Sequence, residues 1–266
     1  MKRNPFDLLT EALQHLTVVD LSTDVTLHSE GPFSTRSEVL EADVGARFFV
    51  ERVLPKIAPH LVGSFGAEDF PGGRFLRHEM ITASVHAGSH IDAPGHYGGK
   101  LSPGSFVNDA KIEDFIGPGV LFDAFSIIDR EVRWEHAQEI IDRENIGDIS
   151  GHIALIRIGP TKAISAELVT KLLDRGVKVI GTDNSSFDGA FLPMLEAHAQ
   201  TREPSALWPC HVLGRDRPYF QIENLTNLDQ LPATRFFVWA PPVLIGGATA
   251  AWTRIVALVP KLSSGQ

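Results

Sequence analysis

The sequence predicts one α/β domain built on a mixed, strand-rich sheet. Three observations carry that expectation. Residues 119–128 (GVLFDAFSII), 151–158 (GHIALIRI) and 177–182 (VKVIGT) are largely apolar runs of strand length, as expected for strands buried on both faces. Two amphipathic stretches, 133–146 and 165–175, lie among them and read as helices. Strands outnumber helices without strict alternation, which argues against a regular doubly wound fold.

Taken in order, residues 7–16 (DLLTEALQHL) have apolar side chains at helical spacing. Residues 18–22 follow as a short strand. Residues 46–63 hold a helical pattern interrupted by Pro55 and Pro59, since proline lacks the amide a helix interior needs. Phe70-Pro71-Gly72-Gly73 is a turn, and residues 74–86 suit a strand. In 165–175, Ser165 is placed to cap the start and Gly176 to end it. Residues 235–245 and 253–259 close the chain as strands. The expected organisation is a single domain over 1–266 with an extended N-terminal segment of about 1–75. That segment contains Phe33, Phe48, Phe49, Phe65, Phe70 and Phe75, read as core because each aromatic ring carries a large apolar area.

Bulk properties narrow the function. The chain has 266 residues, 43% of them hydrophobic, enough for a sizeable core. A formal net charge of -9 argues against nucleic acid or an anionic membrane as partner. A small-molecule substrate is expected instead. The lone cysteine, Cys210, excludes a disulfide within the chain and fits a reducing compartment. It is read as a buried, inert thiol. No secretory leader and no run of about 18 apolar residues is evident, so a cytoplasmic location is expected.

Residues 86–96 (HAGSHIDAPGH) carry the chemistry. Three of the eleven histidines and one aspartate fall in this segment. Imidazole and carboxylate together suit zinc or manganese. In an extended strand His86, His90, Asp92 and His96 share parity and face one side. Gly88 and Pro94 disfavour an unbroken strand, so a strand unravelling into a loop is expected. Gly88 would allow a close approach to metal or substrate, and Pro94 would turn His96 back toward the site. His15, His28, His60, His78, His136, His152 and His198 are read as ordinary surface or core residues. Asp183 and Asp188 fit turn caps. Ser185 and Ser186 have no base at recognisable spacing, so no serine nucleophile is read.

The segment resembles the His-x-Gly-Thr-His-x-Asp-x-Pro-x-His signature of the metal-dependent cyclase family, which includes bacterial kynurenine formamidases and isatin hydrolases. Ser89 stands where the signature has Thr. Asp20-Leu21-Ser22 is similar to the family's opening Asp-Leu-Ser, and the stretch from Gly181 to Asp188 to its Gly-x-Asp-x-x-Ser-x-Asp. His211 precedes Glu223 in Glu223-Asn224-Leu225-Thr226-Asn227-Leu228, which is similar to the family's Glu-Asn-Leu-x-Asn-Leu. Thr253-Arg254-Ile255-Val256-Ala257 is similar to its last strand. Coverage runs from about Val18 to the end, weakest between Gly31 and Phe75.

The resemblance implies a swivelling β/β/α domain assembled as a homodimer or homotetramer. It implies that His86, His90 and Asp92 hold a first divalent ion, zinc or manganese. In members with two ions per site, Asp92 bridges and His211 and Glu223 hold the second. His96 is implied as the acid/base. The expected activity is hydrolysis of an amide, formamide, lactam or lactone carbonyl by metal-activated water, of the arylformamidase or cyclic-amidase type. A biosynthetic cyclase or dehydratase on the same metal site, and a non-enzymatic metal-binding assembly protein, are the other readings. Trp252 sits where the pattern leads one to expect a small residue, which bears on the shape of the pocket.

Overall fold

A computed structural model of the chain describes residues 4–27 and 34–261. His28, Gly31 and Phe33 lie outside the described residues. The chain divides into two compact units: Met1–Asp24 with Gly88–Gln266, and Val25–Ala87. The segment singled out in the sequence, about 1–75, is therefore shared between both.

Helix α1 (Pro5–Gln14) starts at Asn4, whose side chain accepts the Phe6 amide, with proline in the first turn. Strand β1 (Leu16–Asp20) follows. The smaller unit holds strand β2 (Arg36–Leu40), helix α2 (Ala42–Phe48), a wide turn, helix α3 (Leu54–Ile57) and strand β3 (His78–Thr82). β2 and β3 pair antiparallel, and β3 is exposed along its whole length. The long strand expected over 74–86 is thus only five residues. Pro55 and Pro59 each sit in the first turn of a short helix rather than in an interior. The aromatic reading holds only in part: the described rings pack on one another, yet none is buried and Phe65 is exposed. Phe49 packs on Phe70 and Phe75, with ring centroids 5.6 and 5.0 Å apart, and Phe65 meets Phe70 at 5.4 Å. Phe48 instead points to solvent.

The larger unit continues with β4 (His90–Asp92), β5 (Ile116–Asp123), β6 (Glu131–Val132), helix α4 (Trp134–Glu144), β7 (Ile153–Arg157) and β8 (Ala163–Ile164). Next come α5 (Ala166–Asp174), β9 (Val179–Thr182), α6 (Phe191–Thr201), α7 (Pro209–Asp216) and β10 (Phe220–Glu223). β11 (Phe236–Trp239), β12 (Ala250–Trp252) and β13 (Val256–Pro260) close it. Ser165 caps α5 by accepting the Leu168 amide, and Gly176 beyond its end has a left-handed φ of 82°. The strand expected over 235–245 ends at Trp239, before Pro241-Pro242, where the ladder loses its donors.

Among the described residues, nine strands form one mixed sheet in the order β1-β13-β11-β5-β7-β9-β10-β4-β12. β5, β7, β9 and β10 run parallel, and the flanks are antiparallel. This is the mixed, strand-rich α/β architecture that the sequence predicts. Both faces of the centre are buried. Val120, Phe122, Ala154 and Ile156 meet α4 and α5 residues such as Ile140 and Leu168 on one face. Leu121, Ile153, Leu155, Phe236 and Ile255 fill the other. Two-sided burial explains why the central strands read as apolar runs. No described helix is long and apolar enough to cross a membrane.

Candidate metal centre

The site grows out of the pairing of β4 with β10. Their antiparallel register sets Glu223 opposite His90, Ile222 opposite Ile91, and Gln221 opposite Asp92. Side chains alternate along a strand, and directly opposed residues share a face. Ile91 and Ile222 therefore enter the apolar core of one face. His90, Asp92, Gln221 and Glu223 turn to the other, and all four are buried. On the far side of β4, Ala250 lies opposite Asp92 and Trp252 opposite His90. The sheet thus puts an imidazole and two carboxylates together, with a small residue beside one and a large aromatic beside another.

His90, Asp92 and Glu223 offer ligand atoms that all lie within 4.8 Å of one another. His90 Nε2 is 3.6 Å from Asp92 Oδ1 and 3.4 Å from Glu223 Oε2. Donors bound at the usual 2.0–2.2 Å around a tetrahedral ion lie about 3.4 Å apart. Two carboxylates buried together also require a positive charge between them. The donor set, its spacing and its charge all fit a divalent cation. His90 Nδ1 faces the Gly88 carbonyl oxygen at 3.0 Å, which leaves Nε2 as the inward atom.

Strand β4 is short because its neighbours are turns. Gly88 has a φ of +63°, and a Cβ there would lie 2.8 Å from the Asp24 carbonyl oxygen and 2.9 Å from that of Thr23. The close approach Gly88 permits is to this backbone. The Ser89 hydroxyl accepts the Thr23 amide at 2.7 Å and donates to the Asn224 carbonyl at 2.7 Å. A hydroxyl is what that position uses, so serine replaces threonine without loss of either bond. Asn224, in a left-handed conformation, donates its side-chain amide to Gly88 O. Pro94 opens a short 3-10 turn, Pro94–Tyr97, that returns His96 to within 3.8 Å of Asp92 Oδ2. Tyr97 anchors this turn: it is buried, donates to Tyr219 O at 3.0 Å and stacks on the Tyr219 ring.

His211 lies on α7, beside His96, with ring centroids 5.5 Å apart. Glu223, which the resemblance assigns to a second ion, faces His90 of the first set. His86 lies in the smaller unit, two residues before the larger one resumes, in a turn where its amide meets Ser84 Oγ at 3.2 Å. The predicted shared strand parity thus holds for His90 and Asp92, while His86 and His96 sit on the turns either side. Asp183 and Asp188 cap distant backbone rather than local turns. Asp183 accepts the amides of Ile158 and Gly159, and Asp188 those of Cys210 and His211. Cys210 is fully buried, which pushes its thiol well above the ordinary range, as an inert thiol should be. His15, His60 and His78 are exposed, and His136 pairs with Asp129.

Protonation follows from this crowding. Burial alone would lower the His90 pKa, but the Glu223 and Asp92 carboxylates outweigh it and raise it to about 9. Burial, reinforced by Asp92, pushes Glu223 up. His211 is also raised, because Asp188 and Glu223 overcome its burial. All three bind protons more tightly folded than unfolded. Their stabilisation is fully present below the unfolded values and is lost as pH rises through the folded ones. For His90 the window is about 6.5 to 9, worth on the order of 3 kcal/mol. Chelator-treated protein is therefore expected to lose stability to urea between pH 6 and 9. With a saturating divalent ion, which replaces the proton, that loss should shrink sharply. Equal slopes with and without metal would contradict this account.

Residues 15–189 match the family Cyclase, described as "Putative cyclase". The chain is 26% identical to an isatin hydrolase of Roseibium aggregatum over 235 residues, covering 78% of this chain and 82% of that protein. It is 27% identical to a kynurenine formamidase of Paracidovorax citrulli over 192 residues, 68% of this chain and 79% of the other. The solved structure of isatin hydrolase A from Ralstonia solanacearum superposes with a TM-score of 0.71 at 21% identity, covering 97% of this chain and 98% of that one.

Proposed function

Since the chain belongs to the Cyclase family, we propose that it is a metal-dependent hydrolase of a small amide, formamide, lactam or lactone. Non-peptide carbon–nitrogen bonds are the first choice, of the arylformamidase or cyclic-amidase type. The observation that carries this reading is the buried His90, Asp92 and Glu223 cluster, whose donor atoms all lie within 4.8 Å of one another. By the resemblance, His86, His90 and Asp92 would hold a first ion, and His211 and Glu223, with Asp92, would hold a second. The set contains no thiolate, which suits zinc or manganese. When bound, such an ion polarises a carbonyl oxygen and lowers the pKa of water.

The chain's own groups supply the rest. His96 is the more exposed member of the cluster, with about a third of its side chain open, so it can reach a substrate. Its imidazole takes a proton from the attacking water and returns it to the leaving nitrogen or oxygen, a task for which imidazole is chemically suited. Trp252, opposite His90 on β4's other edge, gives the site an aromatic wall and favours a planar substrate. A homodimer or homotetramer in the cytoplasm is part of the same reading. Val18 on the edge strand β1, and Phe237 and Trp239 on β11, stay exposed, which supports an assembly surface there.

The test is metal analysis combined with assays on N-formylkynurenine, isatin and simple lactones. A product heavier by one water supports the reading. A product lighter by one water assigns the cyclase or dehydratase chemistry instead. Bound metal with no turnover on any of these compounds favours a metal-binding assembly protein.

A further inference from the structure

We propose that Asp188 is a positioning residue that fixes which ring nitrogen of His211 faces the metal centre. The proposal rests on the reading of His211 as an ion ligand. Helix α7 begins without a local cap, because Trp208 at its start has a left-handed backbone and an indole that cannot accept a hydrogen bond. Its first amides are orphan donors. Asp188, reaching from the loop after β9, accepts them: Oδ1 takes the Cys210 amide at 2.7 Å and Oδ2 the His211 amide at 3.4 Å. The same Oδ2 lies 2.5 Å from His211 Nδ1. An ionised carboxylate only accepts hydrogen bonds, so Nδ1 must carry the proton. The Nε2 lone pair is then left for a ligand.

The neighbouring residue strengthens the case. The Phe187 amide donates to Glu223 Oε1 at 3.3 Å. One dipeptide, Phe187-Asp188, thereby orients both groups assigned to the second ion. Asp188 is buried, so water competes weakly for its oxygens. Its own amide is held by Ser186 Oγ at 3.2 Å, which fixes the carboxylate between helix start and imidazole.

Asp188→Asn separates the two jobs. One amide oxygen can still accept the Cys210 amide and cap α7. The amide nitrogen then faces His211 Nδ1 as a donor, and Nδ1 must become an acceptor. The proton moves to Nε2, the tautomer that cannot ligate. The experiment is nitrogen-15 NMR of the histidine rings in full-length, chelator-treated protein at a pH where the ring is neutral, with His211 assigned by its absence in His211→Gln. The same proteins are then titrated with zinc.

Wild type is expected as the Nδ1–H tautomer, Asp188→Asn as Nε2–H, and Asp188→Glu as Nδ1–H again. The second zinc should bind about 10–100-fold more weakly in Asp188→Asn, with the first little changed. An Nε2–H tautomer in wild type, or an unchanged tautomer in Asp188→Asn, overturns the proposal. The wild-type spectrum decides even where the variant does not fold. If wild type binds one zinc but shows the expected tautomers, His211 fails as a ligand while Asp188 keeps its role over the ring.

Discussion

His96→Ala is expected to lower kcat by about 10²–10⁴-fold, the usual contribution of a positioned general acid/base, while leaving metal content unchanged. His90→Ala, in contrast, should lose metal and turnover together. The two histidines are only six residues apart, yet the structure treats them differently. His90 is buried on β4, with Nδ1 tied to Gly88 O and Nε2 turned toward Asp92 and Glu223. His96 stands on the turn after Pro94, partly exposed, 3.8 Å from one Asp92 oxygen. A group that moves protons must meet substrate, and a ligand must be held from behind. Metal analysis of both variants decides the assignment. Equal metal loss in the two would make His96 a ligand and leave the acid/base role to another group.

The second large effect is on stability. Gly88→Ala should cost on the order of 3 kcal/mol, read from urea unfolding. Alanine at a φ of +63° is strained, and its Cβ would press on the backbone of Thr23 and Asp24 at 2.8–2.9 Å. Those atoms have little room to retreat, because Ser89 ties Thr23 to Asn224. Gly151→Ala is the control. Its φ is +71°, but nothing lies within 4 Å of the new Cβ, so only strain of about 1 kcal/mol is expected. Similar losses in both would mean that the contact at Gly88 contributes nothing. Metal retention should fall in Gly88→Ala alone, since Gly88 O holds the His90 ring.

Much of this was legible in the sequence for identifiable reasons. The central strands showed because both their faces are buried, and α5 because Ser165 and Gly176 mark its ends. The cluster at His90 and Asp92 stood out because its residue types have little use in packing. β10 did not show. It is four residues long, and Gln221 and Glu223 alternate with Phe220 and Ile222, a pattern as suited to an exposed edge as to a site. His211 and Glu223 came into view only through the resemblance, since their meeting with His96 and His90 depends on pairing between distant segments. The crowding at Gly88 did not show for the same reason: its partners there, Thr23 and Asp24, lie far back along the chain. The role of Asp188 was hidden because a turn cap and a helix cap from afar look alike in one dimension.

The tie between Ser89 and Asn224 spans 135 positions of the chain. Contacts of such separation close late, after the entropy of a long loop has been lost. Histidine 90 and glutamate 223 meet only when that loop closes. A bound ion would thus find its full set of donors only in the finished fold and would not template the early steps. Its grip should appear as slower unfolding, with the rate of folding left almost untouched.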